Sequence, residues 1–351
     1  MQLFQIFDIK DQIPAVHLHY YGRIAWRFEP FQVCTDKLRR GFESGLSCGN
    51  TESGFYCSFH AIKTAIFSGA NLKSLLKELD YYINLAETYK SNLIENILLI
   101  YRETVCSLID NGHTTSIEAK HRPGDYDGHG GEILDDLVFF HKAIQAYWVG
   151  YSDRCRHFCV RSSTNLTPLG QFNTLLIKFY HGTETDCTFK RQNQHRNNLT
   201  SLPRFFLCIC HLPLKLAGLN ELDMLKKKKY AKCKEGVPAA ISSMEYAAAN
   251  SDWNFTNKLR LLEAEHQSLY QNHHDTVIAL YDASIESAKR SGFIHEQGLA
   301  CEKAGFYCKR ENEKEKAWKY FTKARESYEE WGSIMKVDFI QKELDRLNRN
   351  I

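Results

Sequence analysis

Apolar positions recur along most of this chain at steps of three and four, the period of a helix with one face turned inward. In "NLKSLLKELDYYINLAETY" the stripe is Leu72, Leu75, Leu76, Leu79, Ile83 and Ala86, opened by Asn71 in the place of an N-cap. Upstream, Pro14 to Gly69 predicts three helices. They are "PAVHLHYYGRIAWRF", "TDKLRRGFESGLSCGN" with its Gly-Asn stop, and "GFYCSFHAIKTAIFSG" closed by Gly69. A fifth, "NLIENILLIYRETVCSLIDNG", ends at Asn111-Gly112. The pattern breaks at "HTTSIEAKHRPGDYDGHGGE", a polar stretch rich in Gly and Asp. It resumes in "ILDDLVFFHKAIQAYWVGYSDRCRHFCVRSS" and "PLGQFNTLLIKFYHG", pauses over "TETDCTFKRQNQHRNN", and is helical again from Val237 onward. No stretch sustains period-two alternation and no Asn-Gly turn joins β-branched runs, so strands are not expected.

The pattern divides the chain into helical repeats over 1–112, a polar loop over 113–130 and helix pairs over 131–180. A flexible polar segment over 181–200 and C-terminal repeats over 201–351 follow. The repeat is clearest near the end. Ala317, Phe321 and Ala324 lie forty residues after Val277, Tyr281 and Ser284, and Cys301, Ala304 and Gly305 answer Leu261, Ala264 and Glu265 in the same way. A small residue on a first helix that admits an aromatic residue of the second is the tetratricopeptide logic, whose unit is about 34 residues. The larger offset predicts a longer turn between pairs. A single pair cannot bury both faces, so pairs must stack. The expected fold is therefore all-α, with tetratricopeptide-like helix-turn-helix repeats stacked as an α-solenoid. The last unit fits the signature best, although it lacks the first tryptophan and the closing proline.

Bulk properties narrow the partners. The net charge of +3 over 351 residues gives no strong field toward nucleic acid or a membrane surface. The longest apolar stretch, "FFLCICHLPLKLAG", is broken by His211, Pro213 and Lys215 and falls short of the roughly 20 apolar residues a bilayer span needs. "MQLFQIFDIKDQIPAV" has no secretory pattern. Twelve cysteines scattered through helical segments read as reduced, buried thiols, which predicts a cytoplasmic protein.

There is no G-x-x-x-x-G-K-[ST] loop, and the glycines of "GDYDGHGGE" lack both the preceding strand and the following Lys-Ser/Thr. The kinase signatures HRD and DFG are missing. Cys155, His157 and Cys159 cluster, as do Cys208, Cys210 and His211, but neither group has the second matching pair of a structural zinc site. His295-Glu296 lies at the start of the last repeat without the remainder of a phospho-accepting motif. Lys226 to Lys229 reads as a solvated helix end, since no aromatic residues interleave it for base stacking. His273-His274 is expected in a repeat turn. The residues thus predict no catalytic, cofactor-binding or metal-ligating side chain, no cofactor, and partners that are protein or peptide segments.

The same repeats resemble a known family. "GFIHEQGLACEKAGFYCKRENEKEKAWKYFTKARESYEEWGSIMKV" is similar to the closing part of the helical-repeat region of very large signalling AAA-type ATPases. Those proteins also carry serine/threonine kinase and GAF or histidine-kinase modules. The ending "YEEWGSIMKV", with Trp331-Gly332 and Lys336, is its most specific piece. "NFTNKLRLLEAEHQSLYQNHHDTVIALYDASIESA" resembles the preceding unit. Trp26 to Leu72, notably Gly45-Leu46, Gly49-Asn50 and Gly69, resembles the start of that region. The likeness runs over Trp26–Gly112 and Trp253–Val337 and is weak over Gly170–Ala240. It implies a non-catalytic scaffold for protein–protein interaction in signal transduction, detached or truncated from a multidomain signalling ATPase/kinase. The alternative it implies is the regulatory arm of an ATP-dependent serine/threonine or histidine kinase whose catalytic domains lie outside this chain.

Overall fold

The computed structural model describes residues 10–110, 129–149, 241, 244–268 and 273–348. The cysteine–histidine groups at 155–159 and 208–211, the lysine run at 226–229, Asn111-Gly112 and the polar segment 181–200 lie outside the described residues. Among the described residues every regular element is helical and none is a strand, so the protein is all-α. The chain divides into two compact units, Met1–Leu137 and Val138–Ile351.

In the first unit α1 spans Ile13–Arg23, α2 Phe31–Cys48, α3 Thr51–Ser68, α4 Leu72–Thr88 and α5 Asn92–Ile109. α3 is the central helix. It packs on α1, α2, α4 and α5, and its residues from Phe55 to Ser68 are almost all buried. α2 and α3 run antiparallel and very close. The Thr35 hydroxyl donates to Thr64 Oγ1 at 2.8 Å near one end, and at the other Gly45 faces Gly54 with no side chain between them. Asn71 caps α4 as expected, its side-chain oxygen accepting from the backbone N–H groups of Lys73 and Ser74 at 3.1 Å.

Three details depart from the periodicity. The stretch 14–28 is not one helix: α1 stops at Arg23, where the Trp26 indole donates to the Arg23 carbonyl and fixes a short 3-10 turn over Ala25–Arg27. α2 begins at Phe31 instead of Thr35, because Pro30 takes the N-cap place with extended backbone and its carbonyl accepts from Cys34. On α4, Tyr82 is buried and Leu76 only half-buried, so the inward stripe is rotated slightly toward the aromatic residue.

α6, His129–Val149, runs across the division between the units. The second unit continues with α7 at Asp252–Ser268, α8 at His274–Arg290, α9 at Ile294–Arg310, α10 at Lys314–Trp331 and α11 at Ile334–Asn348. Each of these packs on the next, and α7 also packs on α9. The positions matched at a forty-residue offset do matched work. Val277 and Ala317, Tyr281 and Phe321, and Ala264 and Ala304 are each wholly buried. A Cβ on Gly305 would lie 2.7 Å from the Phe321 ring, and one on Gly298 would lie 2.8 Å from the Tyr328 ring. The long offset does not come from a longer turn between pairs. Residues 291–293 suffice to join α8 to α9, and the extra length is in helices of 17 and 18 residues. These three-residue turns reverse the chain through a left-handed residue, Gly292 at φ 73° and Asn312 at φ 62°.

Candidate functional site

The interior of the second unit holds an unusual number of charges for a helix stack, and they fall on the first helix of each pair. Glu302 on α9 is the centre. Its carboxylate accepts from the Tyr328 hydroxyl at 2.7 Å and pairs with the Lys336 ammonium of α11 at 2.6 Å. All three side chains are buried. Burial alone would raise the Glu302 carboxyl, but Lys336, Lys303 and the two hydrogen bonds outweigh it and hold the group below its ordinary value. Lys336 is pulled down by burial and partly restored by Glu302.

The neighbouring pair repeats half of this arrangement. The Tyr281 hydroxyl of α8 donates to Glu265 of α7 at 2.6 Å, with Glu265 at the place that Gly305 holds one repeat later. Glu265 has no counterpart of Lys336, so burial dominates and raises its carboxyl despite the charge of Lys303. A second link joins α7 to α9: the Lys258 ammonium lies 2.8 Å from Glu296, Asn257 also donates to Glu296, and Lys258 faces the Phe293 ring at 4.3 Å. α9 is tied to α11 again by Lys309 and Glu343 at 2.5 Å. Charge pairs thus join α7 to α9 and α9 to α11.

His295 lies beside this cluster. Its ring is 5.4 Å from Trp331 and 5.8 Å from Trp148 of α6, and Phe293 packs nearby. Burial pushes its pKa down to about 4, so the ring is neutral at pH 7. Its Nδ1 has no hydrogen-bond partner among the described residues. Buried among three aromatic rings, the imidazole is poorly placed for a phosphoryl donor to reach it. His273 precedes α8 and His274 is its first residue. There His274 stacks on Tyr307 and pairs with Glu313 at 2.8 Å, a half-buried tie across the turns.

The first unit has its own buried pair of bases. Lys63 and His60 both sit on the central helix α3. Burial and the charge of Arg23 push the Lys63 ammonium down to about 7. The His60 ring lies on Phe59 at 4.1 Å and against the bare backbone of Gly22, and burial lowers its pKa well below the ordinary value. Neither residue stands out in the sequence. The only signal is a pair of basic residues inside a mostly apolar run.

Thiol chemistry is suppressed at the four buried cysteines. Burial pushes the thiols of Cys34, Cys57, Cys301 and Cys308 up to about 12, far from the thiolate form at neutral pH. Among the described residues no three His, Cys, Asp or Glu side chains converge as a metal site, and no helix is long and apolar enough to cross a membrane.

No protein-family model matches this chain, and no curated protein matches it significantly.

Proposed function

We propose that this chain is a non-catalytic, tetratricopeptide-like scaffold of the cytoplasm that holds protein segments or neighbouring signalling domains, without nucleic acid or a membrane as partner. The observation that carries the reading is the forty-residue equivalence between α7–α8 and α9–α10. Val277 and Ala317, Tyr281 and Phe321, Ser284 and Ala324, and Ala264 and Ala304 are all buried, and Tyr281 meets Glu265 where Phe321 meets Gly305, although Leu261 is only half-buried where Cys301 is wholly buried. Stacked pairs of this kind curve into a solenoid with a rigid surface, on which a partner segment docks at little ordering cost to the scaffold. The buried ion pairs support the same reading. An ion pair buried between helices adds little net stability over apolar packing, but a mismatched register leaves its charges unpaired. Lys258–Glu296 and Lys336–Glu302 therefore fix how successive first helices slide against one another, which is what a surface with a set shape requires.

A second reading rests on the likeness of 253–337 to the repeat region of signalling ATPases, with "YEEWGSIMKV" its sharpest part. In it the chain is the regulatory arm of a serine/threonine or histidine kinase whose catalytic domains lie elsewhere. Both readings place no nucleotide on these residues. Calorimetric titration of the full chain with Mg-ATP and Mg-ADP tests this. No saturable heat is expected, and saturable binding overturns the non-catalytic scaffold.

A further inference from the structure

The outer arc of α1 carries two rows of side chains at four-residue steps. One is apolar: Val16, Tyr20 and Ile24, continued by Phe28 just past the 3-10 turn. The row beside it is basic, with His19 and Arg23 exposed and Arg27 half-buried over the Trp26 ring at 5.0 Å. α1 packs on α2 and α3 and buries Pro14, His17, Leu18 and Gly22, which turns both rows outward. Exposure along the apolar row runs from 39% at Val16 to 61% at Phe28. Lone exposed apolar residues are ordinary, but four in register form a stripe, and a stripe rimmed by polar groups marks an interaction surface. The last helix, α11, differs: among its exposed Ile334 and Phe339 stand charges of both signs, Asp338, Lys342, Asp345 and Arg346.

The basic row is not compensated from within. The Arg23 side chain makes no ion pair among the described residues, and beneath it Lys63 and His60 of α3 feel its charge as repulsion. Glu29, just past the apolar row, accepts from the Tyr20 hydroxyl at 3.4 Å. These features select the occupant. A helix laid along α1 covers the apolar row with a row of its own, and its flanking residues then face the cations, where carboxylates are attracted. A second copy fits poorly, because two α1 helices meeting antiparallel about a two-fold axis set basic row against basic row. A lipid surface fits poorly as well. Val16, Tyr20 and Ile24 are more than half covered and lie flush with the surface, whereas an interfacial helix sinks its apolar face about 5–10 Å into the membrane.

We propose that the outer arc of α1 docks an acidic amphipathic helix of another protein, with its apolar row on Val16, Tyr20, Ile24 and Phe28 and its carboxylates on His19, Arg23 and Arg27. The inference rests on the scaffold reading and gives that scaffold a contact surface and the chemistry of what it holds.

The test uses the full chain and a labelled helical peptide with leucine at every fourth position and glutamate three residues after each leucine, followed by fluorescence anisotropy. Saturable binding is expected. A twin with lysine in place of glutamate, and a scrambled peptide of the same composition, should bind roughly tenfold more weakly or worse. Ile24→Ser should weaken the acidic peptide by a similar factor. Arg23→Glu should invert the preference, so that the lysine twin binds the better, and Lys342→Glu on α11 should change neither. No saturable binding, binding shared by the scrambled peptide, or a preference that survives Arg23→Glu overturns the docking surface. So does loss of the helical circular-dichroism signal in Ile24→Ser, which makes Ile24 a core residue. Other occupants overturn it too, each with its own sign. Concentration-dependent dimers abolished by Ile24→Ser mean a second copy, and phosphatidylserine vesicle binding abolished by Ile24→Ser means a lipid surface. Peptide binding that appears only when residues 1–9 are removed means that the chain covers this face itself. None of these outcomes touches Mg-ATP binding, so the docking surface and the scaffold reading fail separately.

Discussion

Adding one methyl group at Gly305 tests the packing of the last helix pair. A Cβ there would lie 2.7 Å from both Cδ1 and Cε1 of Phe321 and 3.1 Å from Cγ. Carbon atoms pack best at about 3.5–4.0 Å, so the ring must retreat by roughly 0.8 Å or more. Phe321 is wholly buried, with Phe306 edge-on at 5.1 Å, and has nowhere easy to go. Overpacking of this kind costs about 1–3 kcal/mol, while replacing glycine by alanine inside a helix gains about 1 kcal/mol. Gly305→Ala should therefore destabilise the second unit by about 1 kcal/mol. In a Phe321→Leu background the obstacle is gone, only the helix gain remains, and the same substitution should stabilise by up to about 1 kcal/mol. The sign change, a coupling of about 2 kcal/mol, is the diagnostic quantity. Amide hydrogen exchange resolved over α9 and α10, measured against urea, reads this unit without interference from the first. Stabilisation by Gly305→Ala in both backgrounds would refute the close approach of Gly305 and Phe321.

Further outcomes follow from the same geometry. Gly45→Ala should cost about 3 kcal/mol or more, because its Cβ would meet Gly54 Cα at 2.6 Å and backbone cannot rotate away; exchange protection in α2 and α3 reads the loss, and near-native protection would contradict it. Lys336→Met alone should cost about 3–5 kcal/mol by leaving Glu302 buried without its ion-pair partner, whereas the triple change Lys336→Met, Glu302→Leu, Tyr328→Phe should lie near native stability in urea melts. His295 binds its proton with a pKa of about 4 when folded, against 6.5 unfolded. Between these values the unfolded state holds more protons, and stability rises with pH. From pH 7 to pH 5 this residue should account for about 2 kcal/mol of lost stability, and His295→Phe should flatten the pH profile by that amount. Cys34, Cys57, Cys301 and Cys308 should resist iodoacetamide at pH 8 until the protein is unfolded; rapid native labelling, mapped by mass spectrometry, would contradict their burial.

Local signals carried the helical elements far. Asn71 and the leucines after it place α4 because capping and a 3.6-residue stripe act within a few residues of sequence. The pairing of Phe321 with Gly305 was readable for a similar reason, since a small residue and an aromatic residue recur at one offset. What the pattern hid is long-range or polar. Nothing local marks Glu302 or Lys336 as buried, since most Glu and Lys are exposed, and only tertiary packing brings them together inside the unit. Lys63 was hidden in the same way on α3, whose neighbours cover all its faces. The forty-residue offset misled because sequence counts residues without saying whether helix or turn takes them up. Trp148 was an apolar residue on a helix like many others, and nothing local to it points to Trp331 or His295.

The scaffold is tested most directly by comparing native and denatured mass. The chain, tagged at its C-terminus and expressed at its natural level, is sized in cell extract by native gel filtration and then by denaturing gel. The scaffold reading predicts a native mass well above the denatured mass of the same polypeptide, 40.7 kDa for these 351 residues, with lysine cross-links to a different protein. Equal native and denatured masses, with no cross-linked partner, would contradict it.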